Sequence, residues 1–143
     1  MKAKHLTAYL NSAKEFAKCS TAVKLKVGAI VAKDGQILSV GYNGTPPGWN
    51  NTCESTVIID GISQLKTLPE VIHAERNALD KLAKSTESSE GAVMFITHSP
   101  CLECAKSIFN VGIKEVYYET DYRSDEGIFF LQKAGVLVKK ITT

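Results

Sequence analysis

The stretch VMFITHSPCLECAKSIFNVGIKEVYYE, residues 93–119, decides the fold. It begins with an apolar run, Val93 to Thr97, that reads as a strand. It passes through Pro100 into a helix over Cys101 to Val111 and returns as a strand over Glu115 to Glu119. A strand, a helix and a strand in so short a run make a crossover, which is right-handed and lays its helix on one face of a sheet. The alternation continues downstream, with a helix over Ser124 to Ala134 closed by Gly135 and a last strand over Val136 to Ile141. Upstream, Leu6, Leu10, Ala13, Phe16 and Ala17 stand at helical spacing within Leu6 to Lys18. Val27 to Ala32 is apolar and β-branched, Asp34-Gly35 is a hairpin turn, and Gln36 to Val40 returns antiparallel. Gly41 to Cys53, dense in Gly, Pro and Asn, is loop, and Val57 to Leu68 reads as an irregular excursion. Pro69-Glu70 opens a helix that runs to Lys84, and Ser85 to Gly91 is a polar connection. The expectation is one α/β domain over residues 1–143, a three-layer α/β/α sandwich without repeats or linkers.

Composition narrows the function. At 44% hydrophobic and 22% charged, the 143 residues can build a core, which excludes disordered and low-complexity classes. Seventeen basic residues against fifteen acidic give a net charge of +2, too weak to argue for a nucleic-acid or membrane surface. The apolar run Val27 to Ala32 is far shorter than the roughly 20 residues a membrane span needs. The segment after Met1 enters an amphipathic pattern with no signal-peptide core, so a soluble, cytoplasmic protein is expected.

In a reducing compartment the four cysteines need a reason other than disulfides. Cys101 and Cys104 lie three apart on one helix face and can grip one ion, and a helix N-terminus favours their thiolates. His73, at the start of another predicted helix, supplies an imidazole. Three protein ligands leave the fourth tetrahedral position of zinc open to water, the arrangement of a catalytic site. Glu75 is badly placed as a further ligand and well placed to handle the protons of that water. Taken singly, His-x-Glu is common, and Cys-x-x-Cys serves structural zinc or redox pairs equally well. Joined in this order they form the His-x-Glu…Pro-Cys-x-x-Cys signature of zinc-dependent nucleobase deaminases. A closed four-ligand site would need Cys19, Cys53, His5 or His98, none at finger-like spacing to Cys101. A zinc-stabilised binding module without turnover would have no use for Glu75.

The resemblance extends beyond the motif. Cys19-Ser20, Val27-Gly28-Ala29-Ile30-Val31, Gly41-Tyr42-Asn43-Gly44-Thr45-Pro46-Pro47-Gly48, His73 to Ala78, Ser99 to Lys106 and Tyr122 to Glu126 resemble the deoxycytidylate (dCMP) deaminase family. The likeness spans nearly the whole chain, and the Gly-Tyr-Asn-Gly-Thr-Pro run points to its monophosphate branch. It implies a five-stranded mixed sheet and the conversion of dCMP and water to dUMP and ammonia, a supply step for thymidylate. It also implies one catalytic zinc on His73, Cys101 and Cys104, with Glu75 moving protons and the Ser99 carbonyl accepting from the substrate's amino group. Asn43 matches a sugar-contacting asparagine, although an asparagine beside Gly44 is also a natural turn residue. For the 5′-phosphate the candidates are Lys24, Lys26, Tyr122 and Arg123, with solvated surface charge the competing reading of each lysine.

The family is typically a homohexamer activated by dCTP and inhibited by dTTP, with magnesium on the triphosphate. Its effector site corresponds here to Gly41, Tyr42, Asn43 and Gly44. Some members hold a second zinc at positions matching Cys19 and Cys53. Here no histidine lies between Cys53 and His73, and Val71 cannot ligate, so both cysteines read as buried free thiols. Trp49 and Tyr42 read as packing residues. The alternatives within enzymes are a deaminase of free cytidine or of a base in nucleic acid. The first conflicts with the Gly-Tyr-Asn-Gly-Thr-Pro run, and the second with the absence of a basic, aromatic groove.

Overall fold

Helix α1 (Ala3–Ala17) leads into a hairpin of β1 (Gly28–Lys33) and β2 (Gln36–Tyr42) in the computed structural model, which describes residues 1–142. Asp34 and Gly35, at φ of 52° and 76°, form the tight turn that matches strand twist. Then come β3 (Glu54–Ile59), β4 (Ile62–Thr67), α2 (Ala74–Ala83), β5 (Val93–His98), α3 (Leu102–Asn110), β6 (Glu115–Thr120), α4 (Glu126–Lys133) and β7 (Leu137–Lys140). Five strands make one mixed sheet in the order β2-β1-β5-β6-β7. β1 runs antiparallel to β2 and β5, while β5, β6 and β7 are parallel. The expected α/β/α sandwich is the observed one.

Burial explains why the sheet reads clearly from sequence. β1 and β5 are central, covered on both faces, and so appear as continuous apolar runs. On one face α1 sets Leu10 and Ala13 against Ile30, Phe95 and Tyr117. There Tyr9 and Tyr117 stack on the fully buried Phe95 at 4.9 and 5.5 Å between ring centres, each pair contributing about 0.5–1.5 kcal/mol beyond area burial. On the other face α2, α3 and α4 set Ala78, Leu82, Ile108 and Leu131 against Val31, Met94, Ile96 and Val116.

Two segments differ from expectation. The excursion over Val57 to Leu68 is an antiparallel hairpin, β3 with β4, turning at Asp60-Gly61 with φ of 52° and 77°. Its strands show no alternation because neither face is covered: Ile58, Ile59, Ile62 and Leu65 are all exposed. The helix expected from Pro69 starts only at Ala74. Residues 68–71 turn through a Val71 N–H to Leu68 carbonyl bond, and Ile72 is stitched to Gly44 by a reciprocal pair of 2.8 and 3.1 Å. With both backbone groups of Ile72 committed to Gly44, His73 stays extended (φ −66°, ψ 154°) and becomes the residue that precedes the helix.

β2 fixes the position of α2. Ser39 Oγ donates to the Ala78 carbonyl at 2.7 Å, Lys81 Nζ to the Val40 carbonyl at 2.6 Å, and Asn77 Nδ2 to the Tyr42 carbonyl at 2.8 Å. At Gly41 the two backbones touch: a Cβ there would stand 2.6 Å from the Ala78 nitrogen and closer still to the Ala74 carbonyl. Only glycine permits that approach. No helix among the described residues is long and apolar enough to cross a membrane.

Candidate active site

Two helix N-termini meet beyond the end of β5. His73 precedes α2, and Cys101 precedes α3 with its sulfur accepting the Cys104 N–H at 3.5 Å. Both sites therefore lie at positive helix ends, which favour anionic ligands. His73 Nδ1 stands 3.3 Å from Cys104 Sγ and 3.6 Å from Cys101 Sγ, and the three ligand atoms lie within 4.8 Å of one another. Zinc at about 2.3 Å from sulfur and about 2.0–2.1 Å from nitrogen, with tetrahedral angles, would separate N and S by roughly 3.5 Å. The donors are spaced and chosen for zinc, and the fourth corner is left to solvent or substrate. Cys101 is pushed down to about 4 by hydrogen bonds with Cys104 and His73, making it a thiolate at neutral pH. That thiolate in turn raises His73, and Cys104 is pushed up by its bond to Cys101 and by burial.

A third constraint comes from α4. Gly127 packs on the turn that carries the first thiol, where a Cβ would meet the Pro100 carbonyl and stand 2.9 Å from the Cys101 carbonyl carbon. Bare backbone of α4 thus rests against the Pro100–Cys101 peptide and fixes its height above the sheet.

Glu75 lies one residue inside α2, is 5% exposed and borders the same cleft. Burial pushes its carboxyl up to about 7, only partly opposed by a backbone hydrogen bond and by His73. A carboxyl near neutrality can both take and give a proton, the property required of a general acid/base.

The cleft is open to solvent at its mouth and closes down over the ligand cluster. Glu75, His73, Cys101, Asn43, Ser99, Lys24 and Tyr122 line it together. Lys26 and Arg123 lie outside that lining, both exposed, and the Arg123 guanidinium sits over the Tyr122 ring at 5.1 Å. Asn43 is not in the left-handed conformation of a turn asparagine. Its Oδ1 accepts from the Val27 N–H and its Nδ2 donates to the Leu25 carbonyl, both at 2.8 Å, clamping the segment at the cleft mouth. Ser99 is buried, and its hydroxyl accepts the Tyr122 N–H at 2.8 Å.

Of the four loop residues matched to the effector site, Tyr42, Asn43 and Gly44 border a second, open hollow with Asn77 and Lys81. Gly41 does not reach it, because it is buried between β2 and α2. Cys53 is a buried thiol on the cleft wall, but Cys19 is exposed and borders the second hollow instead. Cys19 sits in the turn that leaves α1, its N–H bonded to the Phe16 carbonyl. Trp49 is also exposed rather than packed, at the tip of the loop. Sequence reasoning did not name His98, Glu54 and Thr67 among the cleft residues. Glu54 and Thr67 pair at the root of the β3–β4 hairpin, whose strands carry no alternation to mark them in sequence.

The sequence profile of the cytidine and deoxycytidylate deaminase zinc-binding region matches residues 3–120. A dCMP deaminase of the cyanophage S-TIM5, solved with dCMP and dUMP, is 47% identical and superposes with a TM-score of 0.89 over 99% of both chains. ComE operon protein 2 of Bacillus subtilis is 36% identical over 85% of this chain, and this chain spans only 63% of its length. The deoxycytidylate deaminase of phage T4 is 35% identical, over 79% of this chain and 77% of that one.

Proposed function

The chain belongs to the deoxycytidylate deaminase family of the cytidine deaminase superfamily, and on that footing we propose that it hydrolyses dCMP to dUMP and ammonia. The observation that carries the reading is the convergence of His73, Cys101 and Cys104 beside a buried Glu75 in one cleft. Zinc held by the three ligands supplies Lewis acidity, which lowers the pKa of water toward ~7. Glu75 takes the proton of the attacking water and delivers it to N3 of the ring. Once that oxygen has bonded to C4, Glu75 takes its remaining proton and passes it to the amino group, so the C4–N bond breaks to release ammonia and C4 is left as a carbonyl. The Ser99 carbonyl accepts from that amino group and holds it toward Glu75. Burial gives Glu75 its range, since a carboxyl titrating near 7 transfers protons in both directions at neutral pH.

The 5′-phosphate meets Lys24 and Tyr122 at the cleft, with Lys26 and Arg123 adding longer-range charge from outside it. The clamped Asn43 presents its remaining N–H to the sugar. We further assign regulation to the loop at Tyr42, Asn43 and Gly44, with dCTP activating and dTTP inhibiting a homohexamer in the presence of magnesium. Asn43 borders both hollows, so a ligand at one reaches a contact of the other without a long pathway.

Ammonia release from dCMP, deoxycytidine, CMP and cytosine by the zinc-loaded protein tests the substrate. A preference for dCMP over deoxycytidine of about 100-fold or more in kcat/KM is expected from several charge-assisted contacts. Equal rates would move the chain to the nucleoside branch. Sigmoidal dCMP kinetics that dCTP makes hyperbolic and dTTP suppresses test the regulation, and kinetics indifferent to both would remove it.

A further inference from the structure

Several of the cleft's polar side chains are tied to the protein's own backbone. Asn43 holds Leu25 and Val27, Ser99 Oγ holds the Tyr122 N–H, and Glu54 Oε2 accepts the N–H groups of Val23 and Lys24 at 2.9 and 3.0 Å. His98 is different. Its ring lines the cleft at the end of β5, yet only one nitrogen is engaged: Nδ1 lies 2.8 Å from Thr97 Oγ1. Thr97 is buried, and its oxygen already accepts the Gly28 N–H at 3.2 Å. We assign the hydroxyl proton to Nδ1, its one acceptor among the described residues, which puts the ring hydrogen of the neutral imidazole on Nε2. The Tyr122 ring meets the imidazole edge-on at 6.2 Å and 77°, holding its plane. Burial keeps the imidazole below its ordinary pKa, so the neutral form prevails. The result is an oriented N–H donor beside Tyr122 and in the same cleft as Lys24.

Resting on the reading of a nucleoside monophosphate substrate, we propose that His98 is a specificity-determining residue that donates from Nε2 to the substrate's 5′-phosphate. A sugar hydroxyl needs an acceptor for its own proton, whereas Lys24 and His98 offer only donors. A phosphomonoester is acceptor-rich and anionic, which matches them. Thr97 is the positioning residue behind the ring.

Steady-state kinetics of zinc-loaded wild type, His98→Ala and His98→Gln on dCMP and deoxycytidine, with calorimetric titration by dUMP, test this. A hydrogen bond to a charged group corresponds to about a 10- to 100-fold effect. His98→Ala should lose that factor in kcat/KM for dCMP, mainly through KM, and weaken dUMP binding equally, with deoxycytidine turnover and zinc content unchanged. His98→Gln, which returns an amide N–H near the Nε2 position, should recover part of the loss. Equal losses on both substrates, or none on either, overturn the role of His98 while leaving the dCMP reading intact. Wild-type protein inactive on dCMP overturns that reading and this inference with it.

Discussion

Replacing Glu75 by Gln separates what the carboxyl does for chemistry from what it costs the fold. The side chain is buried and titrates near 7 in the folded protein, against 4.5 when unfolded. Below pH 4.5 both states hold the proton, and the group is neutral toward stability. Between 4.5 and 7 the unfolded chain releases its proton while the fold retains it, so stability falls as pH rises. Above 7 the deficit is constant, on the order of 3 kcal/mol at about 1.36 kcal/mol per pH unit. Denaturant unfolding of zinc-stripped wild type and Glu75→Gln from pH 4 to 8.5 measures it. His98 titrates in both proteins and cancels, so the difference between the curves reports Glu75 together with the rise it causes in His73. The Gln protein should gain steadily across the window and then run parallel. Curves parallel throughout would refute the claim that burial raises the Glu75 carboxyl. The zinc-loaded Gln protein should keep its metal and lose turnover by at least ~100-fold. Near-normal turnover would remove Glu75 from the chemistry.

Three further outcomes are expected. Cys101→Ala should lose the metal and lower Tm, because metal binding is coupled to folding; zinc analysis of purified protein checks it, and full occupancy would disprove the ligand set. Asn43→Ala releases the Leu25 carbonyl and the Val27 N–H, which should cost about 1–3 kcal/mol in unfolding and raise KM for dCMP at unchanged zinc content. Gly127→Ala pushes a methyl into the Pro100–Cys101 turn, costing about 1–3 kcal/mol and weakening zinc retention in chelator competition; wild-type retention would show that α4 does not position the thiol.

The sequence disclosed what the core dictates. β1 and β5 were legible because burial on both faces turns them into apolar runs, and His73, Cys101 and Cys104 because metal ligation fixes residue types and spacing. β3 and β4 were not legible, since an uncovered hairpin has no face to encode. Asp60-Gly61 carried the same turn signal as Asp34-Gly35 but lacked flanking alternation. The start of α2 was misplaced because Pro69 suits a first helical turn locally, while the competing claim on Ile72 comes from Gly44, far away in sequence. Gly41 illustrates the same limit. Its glycine reads as loop chemistry in the chain and proves to be a helix–sheet contact in space.

The contact at Gly127 bears on how freely this protein can change. A metal centre held in place by side-chain tethers constrains every tether. Here α4 meets the Pro100–Cys101 peptide through bare backbone, and α2 meets β2 in the same way at Gly41. Alignment is thereby stored in two absent methyl groups. The outward face of α4, with Phe129 in solvent, can be rewritten without passing through that alignment. A library that randomises α4 should therefore tolerate wide variety at its surface and almost none at position 127, so the helix acts as a spacer whose one indispensable property is having nothing there.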